Sequence, residues 1–422
     1  MKNNTMKWIW AVLIGFASTS LISSESWTRF RGENGQGRSQ SESIPSEWNE
    51  SDYRWKVELP GGGHSSPVIW KERIFLTGTD EATGKSNTFC LDVKDGRTLW
   101  KKSVSFRSHG KHKFNSFATV TGVVDERHFY VAWPTPTENR IYAFDHDGNI
   151  VWQKSMEAFK CNHAGYTSLM LHDNKLILPY DHAGESFIAA LNSGNGEIVW
   201  KSPRRQAKAA YSTPCVYSPK GSKPQLIFNS MAHGITGVDP STGRTLWELD
   251  GVFDKRSVSS PVIAGDLIIG SCGSGGGGNY VVAIRPGDPG SGEAPKKEYQ
   301  IRRSAPYVPT SVAREGYLYL WSDSGIISCV KAESGQVIWN ERVGGRYFGS
   351  PICIQNRLYC MSDTGQVVVV AAEPEFKLLA RNDLDEMTHA TPAAVGGRLY
   401  LRTFKHLISL SGKQERIPCI TC

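Results

Sequence analysis

The sequence predicts an all-β fold: one ring of eight four-stranded antiparallel blades, a β-propeller. Three observations carry that prediction. The stretch from Pro309 to Trp339 reads as four short strands separated by three turns. A turn glycine four residues before a tryptophan recurs as Gly96/Trp100, Gly148/Trp152, Gly196/Trp200, Gly243/Trp247 and Gly335/Trp339. A small hydroxylic or proline position that opens a first strand recurs eight times, at Pro67, Thr119, Ser168, Pro214, Pro261, Thr310, Pro351 and Pro392.

In the first of these, Tyr317 to Trp321 is a β-rich run, Ser322 to Gly325 a turn cluster, and Ile326 to Val330 the next strand. Lys331 to Gly335 turns again, and Gln336 to Trp339 is the last strand. Strands this short, bounded by Gly, Asn, Asp and Ser, mark all-β chains. One such meander cannot bury both faces, so it needs neighbours like itself. The tryptophans recur at spacings of 45, 52, 48 and 47 residues from Trp55 to Trp247, and 92 more lead to Trp339, which is two repeats. No long amphipathic stretch at 3.6-residue spacing competes with this reading.

In chain order, residues 1–24 read as a secretory signal. Lys2 and Lys7 precede an apolar run, Trp8 to Ala17, that is short for a membrane span, and small residues follow. An uncleaved anchor is the alternative. Removing this segment takes away two lysines and no acid, so the formal charge falls from +7 to +5. Residues 25–50 form a lead-in anchored by Trp27, Phe30 and Trp48. Residues 51–412 hold the ring. The last repeat supplies only three strands, so the strand around Trp55 is expected to complete it and remove the open sheet edges. Two blades lack the fourth-strand tryptophan, and residues 413–422 form a tail. Trp55, Trp100, Trp152, Trp200, Trp247 and Trp339 are expected to pack blade on blade.

Nine cysteines leave at least one unpaired. Cys90 and Cys329 occupy a repeat slot filled elsewhere by Ala143, Ala190, Gly237 and Ala283, which implies small buried residues. Cys353 and Cys360 flank a short turn, compatible with a disulfide or with two buried thiols. Cys419 and Cys422 are a lone C-x-x-C, read as a local disulfide or free thiols rather than a metal site.

The slot pattern seen in Ala143-Phe-Asp145 to Trp152 and Ala190-Leu-Asn192 to Trp200 resembles the repeat of quinoprotein-type propellers. That family includes the pyrroloquinoline quinone (PQQ) alcohol dehydrogenases and the outer-membrane β-barrel assembly factor. The run from Trp27 to Gly37 is similar to the start of many exported PQQ-like repeat proteins. The resemblance covers nearly all of the mature chain and implies a scaffold, not a reaction.

Letter matches to catalytic motifs fail on context. Gly273, Gly275 and Gly278 lead into a strand where a dinucleotide site needs a helix. Gly84-Lys85-Ser86 lacks the earlier glycine of a phosphate loop. His109 and His112 lie among Arg107, Lys111 and Lys113, which reads as a solvated basic loop and no metal site.

Charge placement says more. The eight connections between successive blades hold 21 Lys and Arg against 12 Asp and Glu, while the rest of the mature chain is net −4. Positive charge therefore gathers on one face. At the axial ends of these connections stand His64, Asn115, His163, Tyr166, Tyr211, Arg256, Tyr307, Arg346, Tyr347 and His389, with no carboxylate expected among them. A PQQ dehydrogenase of this resemblance would use carboxylates to hold calcium and to act as base, and its catalytic residues do not carry over. The reading is an exported, periplasmic or extracellular monomer: a binding scaffold without a cofactor, whose partner is a protein or an anionic ligand. That ligand is an acidic glycan or an acidic peptide segment. Nucleic acid and a membrane span in the mature chain are not expected. The alternative is a PQQ- and calcium-dependent alcohol or sugar dehydrogenase.

Overall fold

The computed structural model describes residues 26–412 except 162, 164 and 289. The predicted signal and the Cys419/Cys422 tail lie outside the described residues. Eight sheets follow one another around an axis. Blades 1 to 7 are continuous in sequence, with innermost strands Val68–Trp70, Val123–Val124, Met170–His172, Cys215–Tyr217, Val262–Ala264, Val312–Arg314 and Ile352–Ile354. Blade 8 combines Ala393–Val395, Arg398–Arg402 and His406–Leu410 with the N-terminal strand Tyr53–Glu58, which pairs antiparallel to His406–Leu410. The ring therefore closes on a strand from the opposite end of the chain, as the sequence predicted.

The repeat signature has a local cause. In blade 1 the Asp92 carboxylate accepts from Lys94 N at 2.8 Å, and Gly96 N donates to Asp92 O at 2.9 Å. Asp145, Asn192 and Asp239 nucleate the same turn in blades 2 to 4. The small slot residue stands directly opposite the tryptophan: Cys90 faces Trp100, Ala143 faces Trp152, Ala190 faces Trp200, Gly237 faces Trp247 and Cys329 faces Trp339. A larger side chain there would meet the indole.

Each indole then reaches the next blade. Trp55 Nε1 donates to Val93 O, Trp100 to His146 O, Trp152 to Ser193 O, Trp200 to Pro240 O and Trp339 to Glu373 O, at 2.8 to 3.1 Å. Gly96, Gly148, Gly196 and Gly243, all at positive φ, lie on the rings of Trp55, Trp100, Trp152 and Trp200. Blade 5 has Tyr299 in the tryptophan position. Its hydroxyl donates to Ala332 O at 2.6 Å, and Gly335 lies on its ring. Trp247 departs from the pattern: its Nε1 donates to Gln225 Oε1 in its own blade, at 2.6 Å. Blade 7 has Ala380 in that position.

A second ring of bonds lies at the axis. Ser66 N donates to Thr121 Oγ1, Thr121 N to Ser168 Oγ, Thr213 N to Ser260 Oγ, and Ser260 N to Thr310 Oγ1. Thr310 N, Ser350 N and Thr391 N continue to Ser350, Thr391 and Ser66. The marks Ser168 and Thr310, the hydroxylic residues just before the five marked prolines, and Thr121 in place of the marked Thr119 thus tie neighbouring blades together where they crowd most.

The lead-in is more than a tether. Ser26–Trp27 adds to the innermost strand of blade 1, and Arg38–Ser39 adds parallel to that of blade 7. Between them the chain crosses one end of the channel. Arg29 Nη2 donates to Pro214 O at 2.6 Å, and Asn34 exchanges two bonds with Val216. Arg31 is wholly buried and donates to Thr310 O, Ser311 O and Pro351 O, and to Gly35 O and Gln36 O of its own turn. One short segment so contacts blades on opposite sides of the ring and plugs it.

The described cysteines are free. Cys353 stands opposite Leu358, so Cys360 is its diagonal neighbour. That is about 7–8 Å, too far for a disulfide.

Candidate functional site

The plug crosses one end of the channel, and the site lies at the other. There, all eight blade connections surround a cavity of about 1160 Å³ with Phe30 of the lead-in among its lining residues. His64, His163, Tyr166, Tyr211, Arg256, Tyr307, Arg346 and His389 all line it. Tyr347 does not. Its ring is buried against Trp321 at 5.3 Å, its N–H donates to Asp323 O, and the next residue, Phe348, faces the cavity instead.

One side of the bowl is an aromatic–cation stack. His64 and His389 stack with ring centroids 4.3 Å apart, and Phe348 lies 4.3 Å from His389. The Arg346 guanidinium lies 4.4 Å over Phe114 and pairs with Asp363, Nε to Oδ2 2.7 Å. His389 Nδ1 is 2.8 Å from Phe114 O, which requires the imidazole to donate there. Burial, then His389 and buried Arg402, hold His64 well below the usual imidazole range, and burial lowers His389 too. This pair is neutral near pH 7.

Opposite lies a polar cluster. Tyr211 Oη is 3.2 Å from His163 Nδ1, and Arg256 Nη1 lies 3.3 Å from His163 Nε2. Arg256 stands 5.7 Å over the Tyr211 ring. Burial, then Arg256 and His112, hold the His163 imidazole down to about 4. Burial raises the Tyr211 and Tyr307 phenols.

Several lining groups were not expected from the sequence. Two carboxylates, Asp254 and Asp323, belong to the wall. This corrects the expectation of an acid-free axis. Asp254 sits beside Lys255 and Arg256 in its connection, and Asp323 comes from a turn inside blade 6, not from a connection at all. Asp323 accepts from Tyr307 N at 2.7 Å and Val308 N at 3.1 Å, while burial raises its pKa. The loop with His109 and His112 is also more than a solvated basic loop. His112 and Phe114 line the bowl, because Phe114 packs 5.3 Å from Phe348 across the mouth. The glycine run does lead from strand to strand, and Lys255 Nζ donates to Gly277 O and Gly278 O. Only the aromatic residues among basic ones, Phe106 to Phe114, could have signalled a bowl wall in advance.

Comparison with known proteins places this ring. The family described as "Outer membrane protein assembly factor BamB" matches residues 88–299 and 296–414. The chain belongs to this family of PQQ-like propellers. No curated protein matches. Among solved structures, BamB from Moraxella catarrhalis is 18% identical, with a TM-score of 0.50, over 76% of this chain and 97% of that one. The quinohemoprotein alcohol dehydrogenases from Pseudomonas putida HK5 and Comamonas testosteroni are 12% and 11% identical, with TM-scores of 0.62 and 0.63, each over 93% of this chain and 81% of the other. At these identities the likeness is one of fold.

The quinoprotein neighbours raise the question of a calcium-held quinone. Calcium takes six to eight oxygen ligands. Among the described residues, no three His, Cys, Asp or Glu side chains group to hold a metal ion. Asp323 already accepts two backbone N–H bonds, and Lys208, Lys255, Arg256 and Arg346 share the same cavity. This donor set does not fit a calcium site. Among those residues, no helix is long and apolar enough to cross a membrane.

Proposed function

We propose that this BamB-family chain is an exported binding propeller whose axial bowl holds an acidic, extended segment of another protein. One observation carries the reading: a bowl built from every blade, with four cationic side chains against two carboxylates and a stacked aromatic wall. Cations over aromatic faces suit carboxylates beside apolar groups. At about 1160 Å³ the bowl takes a length of chain and not a folded domain. The family's description as an outer-membrane protein assembly factor favours a protein partner over a glycan. The N-terminal segment supports export.

The test is fluorescence anisotropy with labelled Asp/Phe peptides, their Asn/Phe counterparts, and polygalacturonate as competitor. Binding of the acidic peptide alone, weakened by salt, is expected. Equal binding of both peptides, or binding of the polyuronate only, overturns it. Addition of PQQ and calcium forms a second arm. A stoichiometric spectral shift with dye-linked alcohol oxidation would replace this reading with a dehydrogenase.

A further inference from the structure

The two arginines of the bowl are not equivalent. Arg346 has a carboxylate partner, Asp363, and is stacked on Phe114 and Phe348. Its charge is spent inside the protein. Arg256 has no acidic partner among the described residues. Its Nη1 is turned toward the ring nitrogens of His163, and its Nε is buried without a hydrogen-bond partner. An orphaned guanidinium N–H costs free energy unless something accepts from it.

No carboxylate of the described residues occupies the Nε–Nη2 edge of the guanidinium. That edge carries two parallel N–H donors, the spacing of which matches the two oxygens of a carboxylate. The surroundings suit such a guest. Tyr211 lies under the guanidinium, and the Tyr307 phenol hydrogen-bonds to it. His163, neutral, offers no competing negative charge. A further polar group, His64 Nδ1, belongs to a residue that lines the same cavity and is more than nine-tenths buried, and it lacks a partner. Asp254 and Asp323 share the wall, but Asp254 is engaged by Tyr280 Oη at 2.9 Å and Asp323 by two backbone N–H groups.

We infer that Arg256 is the carboxylate receptor of the bowl, binding one carboxylate of an acidic peptide side-on through Nε and Nη2, with Arg346 serving to shape the aromatic wall. This rests on the peptide-binding reading given above. It sharpens that reading from a basic surface to a single bidentate contact with a defined geometry.

The experiment measures the affinity of the labelled Asp/Phe peptide for the full chain and for R256Q, R256K and R346Q. Inorganic phosphate serves as a competing tetrahedral anion. Thermal melts and far-UV circular dichroism establish that each variant is folded. Loss of a bidentate charge-assisted contact predicts that R256Q weakens binding by about tenfold or more. R256K restores the charge but not the fork, so it recovers only a small part of that loss. R346Q is expected to lose several-fold less than R256Q, and phosphate, which the same fork can hold, to compete with the peptide on the wild-type chain and not on R256Q. If the acidic peptide binds but R256Q and R346Q weaken it equally, or R256K binds as wild type, Arg256 is a diffuse charge and the inference fails while the binding reading survives. If no acidic peptide binds the folded wild-type chain, both fall.

Discussion

Replacing Gly148 by alanine tests the blade-to-blade joint most directly. Gly148 has φ +86°, and a Cβ there would lie 2.6 Å from Trp100 Cδ2. The same turn supplies His146 O, which accepts from Trp100 Nε1 at 2.8 Å. The ring therefore cannot slide away without lengthening its own hydrogen bond. Positive φ costs an alanine about 1–2 kcal/mol. Overpacking against the indole adds about 1–3 kcal/mol, so the loss is about 2–5 kcal/mol. Gly316→Ala is the matched control, because Gly316 has φ +78° and open space where the Cβ would go. It should lose only the strain, about 1–2 kcal/mol. Equilibrium urea unfolding of both variants gives the difference. In a Trp100→Ala background the Gly148→Ala cost should fall to that of the control, a coupling that a double-mutant cycle reads. Equal losses for Gly148→Ala and Gly316→Ala in the wild-type background would refute the docking argument.

Three further outcomes are expected. Arg31→Ala leaves five carbonyl acceptors without their donor; a cost of at least about 3 kcal/mol and faster hydrogen exchange across residues 26–39 are expected, and unchanged exchange would refute the plug. The His163 imidazole, held at about 4 in the fold against an ordinary 6.5, is neutral when folded. Its contribution to stability is full above pH 6.5 and is lost as pH falls from there toward 4; NMR titration should show the low pKa, and Arg256→Gln should raise it. Burial pushes Cys90 and Cys215 up to about 12 and Cys329 and Cys353 up to about 11. In a C419S/C422S background a thiol reagent at pH 8 should therefore label only half-buried Cys161 quickly, and rapid labelling of several thiols would contradict the packing.

The sequence by itself determined the ring. Asp92, Asn192 and Asp239, each with a glycine four residues later, and Asp145, with Gly148 three residues later, act within one turn, and a local hydrogen bond needs no knowledge of the rest of the chain. The small slot residue and its tryptophan are opposite each other on one hairpin, so their pairing is also short-range. The completion of blade 8 by the strand at Trp55 could be counted, because three strands leave an open edge. The tertiary structure alone decided the rest. Arg31 reaches acceptors some 280 and 320 positions away, and nothing near it in the chain marks it as a plug. Asp323 enters the bowl from within blade 6, and Tyr347 yields its place to Phe348. Which side of a turn a residue presents depends on a few degrees of backbone rotation and on the neighbour it meets. Such choices are fixed only when all eight blades press on a common axis.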